Sequence, residues 1–193
     1  MPQRRDAKQV IRAEVRRRLG RLTASDRAEA TAKVRSRLVQ VDQFREAESV
    51  GLYSAIDWEI DLVPLLEAGG ASGKSYALPR WCAESEQYQF VVVESSSQLE
   101  RGRYGIFEPD ENCLPIDQGS LDFVVIPGLA FSRNGARLGR GRGFYDRLLE
   151  NCQAHLCGVC YEFQVFDELP QDPWDRAMNR LVTPRQCVET FLE

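Results

Sequence analysis

The sequence lacks any apolar run close to the roughly 20 residues that a membrane-spanning helix requires. Its first residues, MPQRRDAKQVIR, are charged, and no apolar core or small-residue cleavage site of a secretory signal follows them. We therefore expect a cytoplasmic protein without a membrane partner. The chain has 193 residues, of which 43% are hydrophobic, and this predicts one domain over residues 1–193 built on a single core.

Histidine is almost absent, because His155 is the only one in the chain. A mechanism with a histidine base would depend on this residue alone, and nothing near it in the sequence supports that role. The spacing Cys152-x-x-His155-x-Cys157-x-x-Cys160 suggests a zinc site. However, residues 155–161 are predicted to form a strand, on which residues three apart point to opposite faces. The cysteines are better interpreted as small buried apolar residues, reduced and without disulfides.

The net charge is small, at −4, but it is unevenly distributed. Residues 1–21 contain eight Lys or Arg against Asp6 and Glu14, a balance of +6, so the remainder of the chain carries −10. A basic segment on an acidic body indicates that an anion is bound near the N-terminal segment. Lys8 and Arg12 lie on one basic ridge at helical spacing, although such ridges are usually solvated faces.

Two helices are predicted in the first 48 residues. Over residues 6–20 apolar side chains recur at helical spacing and form one packing face. A second helix is predicted after residues 23–26, TASD, which can act as a capping box. Its inward side chains are predicted to be Ala30, Val34, Leu38 and Val41.

Strands and helices alternate in the rest of the chain. Residues 121–126, LDFVVI, form a continuous apolar run that is typical of a central strand buried on both faces. Other strands are predicted at 49–55, 74–79, 88–94, 155–161 and 180–183, and helices at 59–68, closed by Gly69 and Gly70, and at 143–151. This alternation predicts a three-layer α/β fold, a mainly parallel sheet with helices on both faces. Residues 81–120, apart from the strand at 88–94, carry the weakest of these patterns.

The stretch RLGRGRGFYDR, residues 137–147, follows the predicted central strand. Glycines alternate in it with arginines: Gly139, Gly141 and Gly143 with Arg137, Arg140 and Arg142. Glycine allows positive φ and close approach of backbone amides to an anion, and arginine offers fork-shaped donors to phosphate oxygens. Ligands of open α/β sheets bind beyond the carboxyl ends of the strands, where this loop and the start of the next helix are expected. The pattern therefore predicts a polyphosphate site.

Asp146 lies just beyond these glycines, and a carboxylate beside nucleotide phosphates usually holds Mg²⁺. The spacing G-x-G-x-G differs from the G-x-G-x-x-G of dinucleotide-binding folds, and the chain has no G-x-x-x-x-G-K-[ST] motif. The alternative interpretation is a flexible, solvated basic turn. The predicted strand before the loop, the predicted helix after it and Asp146 argue against that alternative.

The stretch PGLAFSRNGARLGRGRGFYDR, residues 127–147, resembles the signature of the 5-formyltetrahydrofolate cyclo-ligase family, PGLAFD-x-x-G-x-RLG-x-G-x-GYYD. Ser132 replaces a frequent Asp and Phe144 replaces the usual first Tyr, and neither position is expected to take part in chemistry. Further stretches similar to the family are AKQVIRAEVRRRL, SAIDWEIDL, LPR, RYGIFEP, GVCYEFQ and LPQDPWDRAMNRLVTP. The resemblance implies a fold related to the sugar-phosphate isomerase and CoA-transferase type, and a monomer.

The resemblance also implies which residues bind ATP and which act in catalysis. The ATP-binding residues would be Lys8 and Arg12 of the first helix and the loop residues Arg137, Leu138, Gly139, Arg140, Gly141, Arg142, Gly143, Phe144 and Tyr145. The catalytic residues would be Arg140, Arg142 and Tyr145.

The folate and metal ligands are implied in the same way. Ser54, Glu59 and Tyr145 would bind the folate, with Glu59 accepting from the N–H groups of the pterin. The alternative for Glu59 is an ordinary carboxylate in the first turn of a helix. Asp146 and Asp175 would hold Mg²⁺. Around Asp175 the sequence departs from the family, because Trp174 replaces a frequent His and Asn179 a frequent second Asp, and a surface-loop role for Asp175 is the alternative.

The implied reaction is the ATP- and Mg²⁺-dependent closure of 5-formyltetrahydrofolate to 5,10-methenyltetrahydrofolate, with release of ADP and phosphate. Such phosphoryl transfer needs positioning and charge stabilisation and no protein nucleophile. One alternative is an ATP-dependent enzyme of the same fold with another pterin or a thiamine-related acceptor. The other is a nucleic-acid-binding protein, against which the charge of −10 outside the N-terminal segment argues.

Overall fold

The computed structural model describes residues 2–56, 58–67, 73–102, 105–172 and 175–190 of the chain. Its helices are α1 (Pro2–Leu19), α2 (Ala24–Leu38), α3 (Asp42–Glu46) and α4 (Phe144–Leu148). The predicted capping box is confirmed, because Thr23 and Asp26 each accept a hydrogen bond from the other's backbone N–H. The predicted inward side chains are all buried: Ala30, Val34, Leu38 and Val41. None of the described helices combines the length and the apolar content needed to cross a membrane.

The strands fall into one large sheet and two small ones. They are β1 (Ser49–Gly51), β2 (Ser75–Cys82), β3 (Gln87–Val93), β4 (Leu99–Arg101), β5 (Phe107–Pro109), β6 (Phe123–Ile126), β7 (Ala130–Ser132), β8 (Arg137–Leu138), β9 (His155–Val159), β10 (Val165–Phe166), β11 (Arg180–Val182) and β12 (Cys187–Glu189). The large sheet has the order β12-β11-β9-β6-β1-β2-β3. From β11 to β2 its strands run parallel, and only the edge strands β12 and β3 pair antiparallel. The predicted mainly parallel sheet is confirmed.

Strand β6 lies at the centre of this sheet and separates two buried layers of side chains. Phe123 and Val125 belong to the layer that packs under α1, α2 and α3. Val124 and Ile126 belong to the opposite layer, which α4 covers through Leu148. The four β6 side chains are 0% exposed, which confirms a central strand buried on both faces. The result is an α/β fold of three layers.

Cys157 in β9 and Cys160 just after it point to different layers, as predicted. Cys157 packs in the layer under α1 to α3, and Cys160 packs in the layer on the α4 side. Burial raises the pKa of both thiols above the usual value. Because a buried, protonated thiol behaves as a small apolar group, this environment supports the packing interpretation of the two residues.

The predicted helix at 59–68 is wrong in its first half. Residues 59–62 are not helical, whereas a 3₁₀ turn forms at Val63–Leu65 and residues 66–67 are helical. The Ile60 carbonyl accepts the Tyr53 hydroxyl, 2.6 Å away, instead of a helical amide, and Pro64 lies in the first turn of the 3₁₀ segment, where proline is tolerated. The predicted helix end at Gly69 and Gly70 lies outside the described residues.

The predicted first strand is also shorter than expected, because β1 ends at Gly51; the Leu52 amide still donates to the Ala77 carbonyl of β2 at 2.8 Å, and residues 53–56 are not in a strand. Residues 81–120 contain the β2–β3 hairpin, the β4–β5 hairpin and short 3₁₀ turns. A small sheet has the strand order β10-β7-β8, and its strands β7 and β8 lie in the sequence between the central strand β6 and the glycine–arginine loop. A relation to the sugar-phosphate isomerase and CoA-transferase fold stays a prediction.

Candidate active site

The candidate site lies beyond the carboxyl ends of the parallel strands, where chain segments following different strands are joined by hydrogen bonds. The Tyr161 hydroxyl, after β9, donates to the Trp58 carbonyl in the segment that follows β1, at 2.9 Å. Gln164 Nε2 donates to the carbonyls of Gly128 and Leu129, just after β6, at 3.0 Å each. Ligands bind at this edge in open α/β sheets, and the glycine–arginine loop reaches it, because Arg140 Nη2 lies 3.2 Å from Glu59 in the segment after β1.

The glycine–arginine loop runs from Gly139 to Gly143, between β8 and α4. Gly141 has φ 97° and Gly143 has φ 66°, values that side chains with a Cβ rarely adopt. At Gly139 a Cβ would lie 2.9 Å from Arg137 Nη1, so a larger residue there would displace the Arg137 guanidinium. The predicted helix 143–151 is shorter in the structure, ending at Leu148, and it is a single short turn of chain.

Helix α1 contacts the loop through Arg12. Its Nε donates to the Gly139 carbonyl at 3.0 Å, and its Nη2 lies 3.5 Å from the place that a Cβ on Gly141 would occupy. Burial, followed by the positive charge of Arg16, lowers the pKa of the Arg12 guanidinium. A cation that is partly buried beside another cation gains from an anionic ligand. The structure therefore brings Arg12 to the predicted phosphate site.

Lys8 has a different environment from the one predicted. Its Nζ lies 2.7 Å from Asp172 Oδ2 and 3.4 Å from Asp175 Oδ2. Asp175 Oδ2 also accepts from the Asp172 amide at 2.9 Å. Lys8, predicted to bind the nucleotide, thus contacts Asp175, predicted to bind the metal. Both also contact Asp172, which the sequence analysis did not single out.

Arg137, Tyr145 and Asp146 form a second group at the far end of the loop. Arg137 Nη2 lies 2.5 Å from Asp146 Oδ1, and the Arg137 side chain is only 8% exposed. The guanidinium lies 5.6 Å from the centroid of the Tyr145 ring. Burial, followed by the negative charge of Glu59, raises the pKa of the Tyr145 phenol, so its hydroxyl is a donor that keeps its proton.

Glu59 lies at the meeting point of the loop and the segment after β1. Its Oε1 is 3.2 Å from Arg140 Nη2, and its Oε2 accepts from the Ile56 amide at 3.1 Å. The Arg140 guanidinium also lies 5.4 Å from the centroid of the Trp58 ring. Since Glu59 is not on a helix, its interpretation as a first-turn helical carboxylate is wrong.

Ser54 and Tyr53 complete this side of the site. The Ser54 Oγ is buried and has no hydrogen-bond partner among the described residues. Burial, followed by the negative charge of Glu59, raises the pKa of the Tyr53 phenol well above its usual value. An unsatisfied buried hydroxyl is costly unless a ligand pairs with it, so Ser54 is a credible contact for a polar substrate.

The remaining predicted ATP-binding residues lie at the edges of the site. Leu138 is buried in the core, and its carbonyl accepts from the Leu129 amide. Phe144 packs edge-on against Tyr88 and Trp81, at ring-centroid distances of 5.2 and 6.1 Å. Arg142 is exposed. For these residues the role in nucleotide binding stays a prediction.

Sequence reasoning missed several residues that the fold brings to the site: Tyr53, Trp58, Trp81, Tyr88 and Asp172. Tyr53 and Trp58 flank the predicted Ser54 and Glu59, and Asp172 precedes Asp175 by three positions, so their positions in the sequence were available as a signal. Tyr88 begins the strand predicted at 88–94, and Trp81 lies between two predicted strands. Only the β2–β3 hairpin brings their rings to within 5.3 Å of each other and next to α4.

Two of the residues at which the chain departs from the family pattern make structural hydrogen bonds. Ser132 is fully buried, and its Oγ accepts from the Ala136 amide at 3.0 Å, which shapes the turn before β8. Asn179 Oδ1 accepts from the Leu156 amide at 2.8 Å and joins the segment before β11 to β9. Trp174 lies outside the described residues.

The model of the 5-formyltetrahydrofolate cyclo-ligase family matches residues 4–184. The chain belongs to this family. It is 31% identical to the 5-formyltetrahydrofolate cyclo-ligase of Haemophilus influenzae, over 87% of this chain and 92% of the relative. It is also 31% identical to that of Escherichia coli K12, over 91% of this chain and 99% of the relative. These matches confirm the family membership that the signature in residues 127–147 predicted.

Solved structures agree with this assignment to the cyclo-ligase family. The NMR structure of Aquifex aeolicus 5,10-methenyltetrahydrofolate synthetase superposes with a TM-score of 0.84 at 35% identity, over 94% of this chain and 92% of that one. The synthetase of Mycoplasma pneumoniae superposes with a TM-score of 0.73 over 92% and 98% of the two chains, and at 21% identity it supports the fold alone. The chain is therefore an enzyme of the cyclo-ligase family, with a ligase function in folate one-carbon metabolism.

Proposed function

We propose that the protein uses ATP and Mg²⁺ to convert 5-formyltetrahydrofolate to 5,10-methenyltetrahydrofolate, releasing ADP and phosphate. The observation that carries this proposal is the 3.2 Å contact between Arg140 of the loop and Glu59 of the segment after β1. It sets a group suited to phosphate beside a group suited to a pterin. A nucleotide and a folate bound to these two groups would meet at one place.

The chemistry requires such a meeting because the formyl oxygen is a poor leaving group. Its attack on the γ-phosphorus of ATP breaks the bond to the β-phosphate oxygen and releases ADP. The formyl carbon then carries a phosphate ester, and nitrogen 10 attacks this carbon and closes the ring. Phosphate leaves with the former formyl oxygen, and nitrogen 10 loses its proton to the surrounding water.

The phosphate side of the site would consist of guanidinium groups and loop amides. Arg12 of α1 and Arg137 of β8 lie next to the glycine–arginine loop, and Arg140 and Arg142 lie on the loop itself. The planar donors of these arginines fit the oxygens of a triphosphate. The loop glycines allow a positive φ, and backbone N–H groups in such a loop would also point at the phosphates. Transfer of a phosphoryl group depends mainly on such positioning and charge stabilisation.

The residues present fit Mg²⁺ that arrives with the nucleotide. In the described part of the chain, no group of three His, Cys, Asp or Glu side chains could hold a metal by itself. Mg²⁺ commonly binds through one or two carboxylates together with phosphate oxygens and water. Asp146, whose side chain is 37% exposed beside Arg137, would supply a carboxylate, and Asp175 a second. When bound, the ion neutralises charge on the transferred phosphoryl group.

The folate side would consist of Glu59, Ser54 and Tyr145. A carboxylate matches the adjacent amino and ring N–H donors of a pterin, and Glu59 is the carboxylate at this place. The Ser54 hydroxyl, buried without a partner, would pair with the same ligand. Tyr145 would donate from its neutral hydroxyl at the junction of folate and nucleotide.

One assay tests the proposal. Purified protein is mixed with 5-formyltetrahydrofolate and MgATP, and the near-ultraviolet absorbance of the methenyl product is followed, with ATP omitted as the control. Arg140→Ala is expected to lower turnover by roughly 10²-fold, because it removes a charged donor from the developing phosphoryl charge. Arg45→Ala, at an exposed residue of α3, serves as the matched control and should keep full activity. No ATP-dependent product from the wild-type protein, or full activity of Arg140→Ala, would contradict the proposal.

We also propose that the protein acts as a cytoplasmic monomer without nucleic acid or membrane partners. Sedimentation velocity at the assay concentration tests the oligomeric state. A dimer that persists on dilution would contradict this part of the proposal.

A further inference from the structure

Glu59 lies between two backbone carbonyl groups that accept hydrogen bonds from tyrosine hydroxyls. The Tyr161 hydroxyl donates to the Trp58 carbonyl at 2.9 Å, and the Tyr53 hydroxyl donates to the Ile60 carbonyl at 2.6 Å. Tyr53 follows β1 and Tyr161 follows β9, so the two donors come from segments after different strands of the large sheet. The backbone on both sides of Glu59 is therefore attached to the carboxyl edge of that sheet.

Both hydroxyls are held in place by the surrounding structure. Tyr53 is fully buried in the layer under α1 to α3. The Tyr161 ring stacks on Phe163 at a centroid distance of 5.5 Å, and the Tyr161 amide donates to Gln164 Oε1 at 2.9 Å. Burial raises the pKa of Tyr161 to about 12 and raises the pKa of Tyr53 well above its usual value. Both phenols therefore keep the proton that they donate at neutral pH.

The segment that carries Glu59 depends on such contacts because it has no regular secondary structure. Residues 59–62 form no helix. The Glu59 amide donates to the Ile56 carbonyl at 3.0 Å, and Glu59 Oε2 accepts from the Ile56 amide at 3.1 Å. These contacts close a turn within four residues, whereas the two tyrosine hydrogen bonds fix that turn relative to the sheet. An irregular segment without such contacts opens easily, and a site formed in only a fraction of the molecules binds its ligand more weakly by that fraction.

We propose that Tyr53 and Tyr161 are positioning residues for substrate binding: they hold the backbone on either side of Glu59, so that its carboxylate is already placed for the N–H donors of a reduced pterin. This inference rests on the proposed function, in which Glu59 binds the pterin. It adds two residues that act through Glu59 and need not touch the substrate. Hydrogen bonds weaken steeply when their angles are poor, so a displaced backbone at Glu59 lowers the affinity for the pterin.

The alternative role for the two tyrosines is to stabilise the fold alone. Phenylalanine keeps the ring and lacks only the hydroxyl, so Tyr53→Phe and Tyr161→Phe each leave one carbonyl without its donor. Tyr76→Phe is the matched control. Tyr76 is also buried, but it lies near the amino end of β2, between Val50 of β1 and Val93 of β3, away from the edge of the sheet that carries the candidate site.

Calorimetry measures the affinity for 5-formyltetrahydrofolate without nucleotide, so that no turnover occurs. Tyr53→Phe and Tyr161→Phe are each expected to weaken folate binding by about fivefold, the factor that corresponds to one net hydrogen bond. Both should bind the Mg²⁺ complex of a β,γ-imido analogue of ATP as the wild type does, because Arg12 and Arg137 contact other groups. Tyr76→Phe should leave both affinities unchanged. Circular dichroism and thermal melts confirm the fold of each variant.

A double-mutant cycle tests whether the tyrosines act through Glu59. Glu59→Ala is expected to weaken folate binding by about tenfold or more, because it removes a charged acceptor. Adding Tyr161→Phe to Glu59→Ala should then weaken folate binding by less than twofold, since no carboxylate remains to be placed. Fully additive effects would show that Tyr161 acts independently of Glu59.

The outcomes distinguish this inference from the proposed function. A wild-type protein that does not bind 5-formyltetrahydrofolate would overturn both, and full folate affinity in Glu59→Ala would overturn the pterin role of Glu59 together with this inference. Full folate affinity in Tyr53→Phe and Tyr161→Phe, with only a lower Tm, would overturn the positioning role and leave the proposed function standing. Equal weakening of folate and analogue binding would do the same.

Discussion

Lys8 shows how one residue can be found by sequence and still be placed by the fold in an unexpected setting. It was predicted to bind the nucleotide, and it lies between Asp172 and Asp175 instead of facing solvent. Its side chain is 15% exposed, so the two carboxylates neutralise a largely buried cation. Asp175 is therefore both a candidate metal ligand and a counterion, and the two roles can be separated.

The pair of aspartates supplies the test. Asp175→Asn is expected to raise the Mg²⁺ concentration at half-maximal activity by at least about tenfold, the usual scale for disturbing a metal's protein ligands. Asp172→Asn is the matched control, because it contacts the same Lys8 at 2.7 Å but is not assigned to the metal, and it should leave the Mg²⁺ dependence unchanged. Steady-state rates over a Mg²⁺ titration check this. Equal Mg²⁺ dependence in both variants would reduce Asp175 to a counterion of Lys8.

Tyr145 has a predictable effect on pH dependence. The pKa of a phenol is about 10 in water, and burial and the charge of Glu59 raise the pKa of Tyr145. A raised pKa means that the proton is held to higher pH, so Tyr145 stays neutral throughout the range below about pH 10. Any alkaline decline in activity within that range must come from another group.

Tyr145→Phe tests this assignment. Loss of one hydrogen-bond donor is expected to lower kcat/KM by roughly tenfold. The shape of the pH–rate profile should match that of the wild type, because no titrating group has been removed. A profile in which the variant loses an alkaline limb present in the wild type would show that Tyr145 titrates during turnover.

At the scale of elements, the glycine–arginine loop depends on backbone conformations that its glycines allow. Gly141, with φ 97°, lies opposite Arg12 Nη2, and a Cβ there would also be 3.5 Å from that nitrogen. The strain of a positive φ therefore matters more than crowding. In the segment after β1, the Tyr53 hydroxyl occupies the Ile60 carbonyl, so that residues 59–62 form no helix and Glu59 lies on an irregular segment.

Gly141→Ala is expected to weaken binding of the ATP analogue by about tenfold or more, since a strain of about 1–2 kcal/mol falls on the binding conformation. Gly73→Ala is the matched control: Gly73 also has a positive φ, of 70°, and a Cβ there would meet nothing within 4 Å. In Gly141→Ala the unliganded loop is expected to relax to another backbone conformation, so that the strain appears on binding and only a small loss of stability appears in thermal melts. Only Gly141→Ala should lose analogue affinity, as measured by calorimetry, and an equal loss in Gly73→Ala would refute a local role for the loop.

At the scale of the whole molecule, the site depends on contacts between the two ends of the chain. Lys8 of α1 contacts Asp172, 164 positions later, and Arg12 contacts Gly139, 127 positions later. Helix α1 thus lies over the loop instead of standing apart as a basic arm. A ligand that binds only this assembled site must stabilise the folded chain against unfolding.

The Mg²⁺ complex of the ATP analogue, at 100 times its dissociation constant, is expected to stabilise the folded chain by about 2.7 kcal/mol. For a domain of this size, each kcal/mol raises Tm by about 2–4 °C, so Tm should rise by about 5–11 °C. Differential scanning fluorimetry measures the shift. Arg12→Gln should show a smaller shift at the same concentration, and an unchanged Tm in the wild type would contradict nucleotide binding to the folded state.

The sequence by itself determined the features whose signals are contiguous. The α2 capping box lies within four residues, the β6 strand is one apolar run, and the cyclo-ligase signature is unbroken over residues 127–147. These signals predicted the central strand, the parallel sheet, the family and the glycine–arginine loop. Such features depend on periodicity and on residues that are neighbours in the chain.

Only the tertiary structure decided how the site is assembled. The Arg140–Glu59 pair joins residues 81 positions apart, and the Lys8–Asp172 pair joins residues at opposite ends of the chain. Such contacts exist because the carboxyl ends of parallel strands converge on one edge of the sheet, and no local periodicity encodes which loops meet there. The strands of the β2–β3 hairpin were predicted at 74–79 and 88–94 but their pairing was not, and the β4–β5 hairpin was missed, since registers are set by pairing across strands.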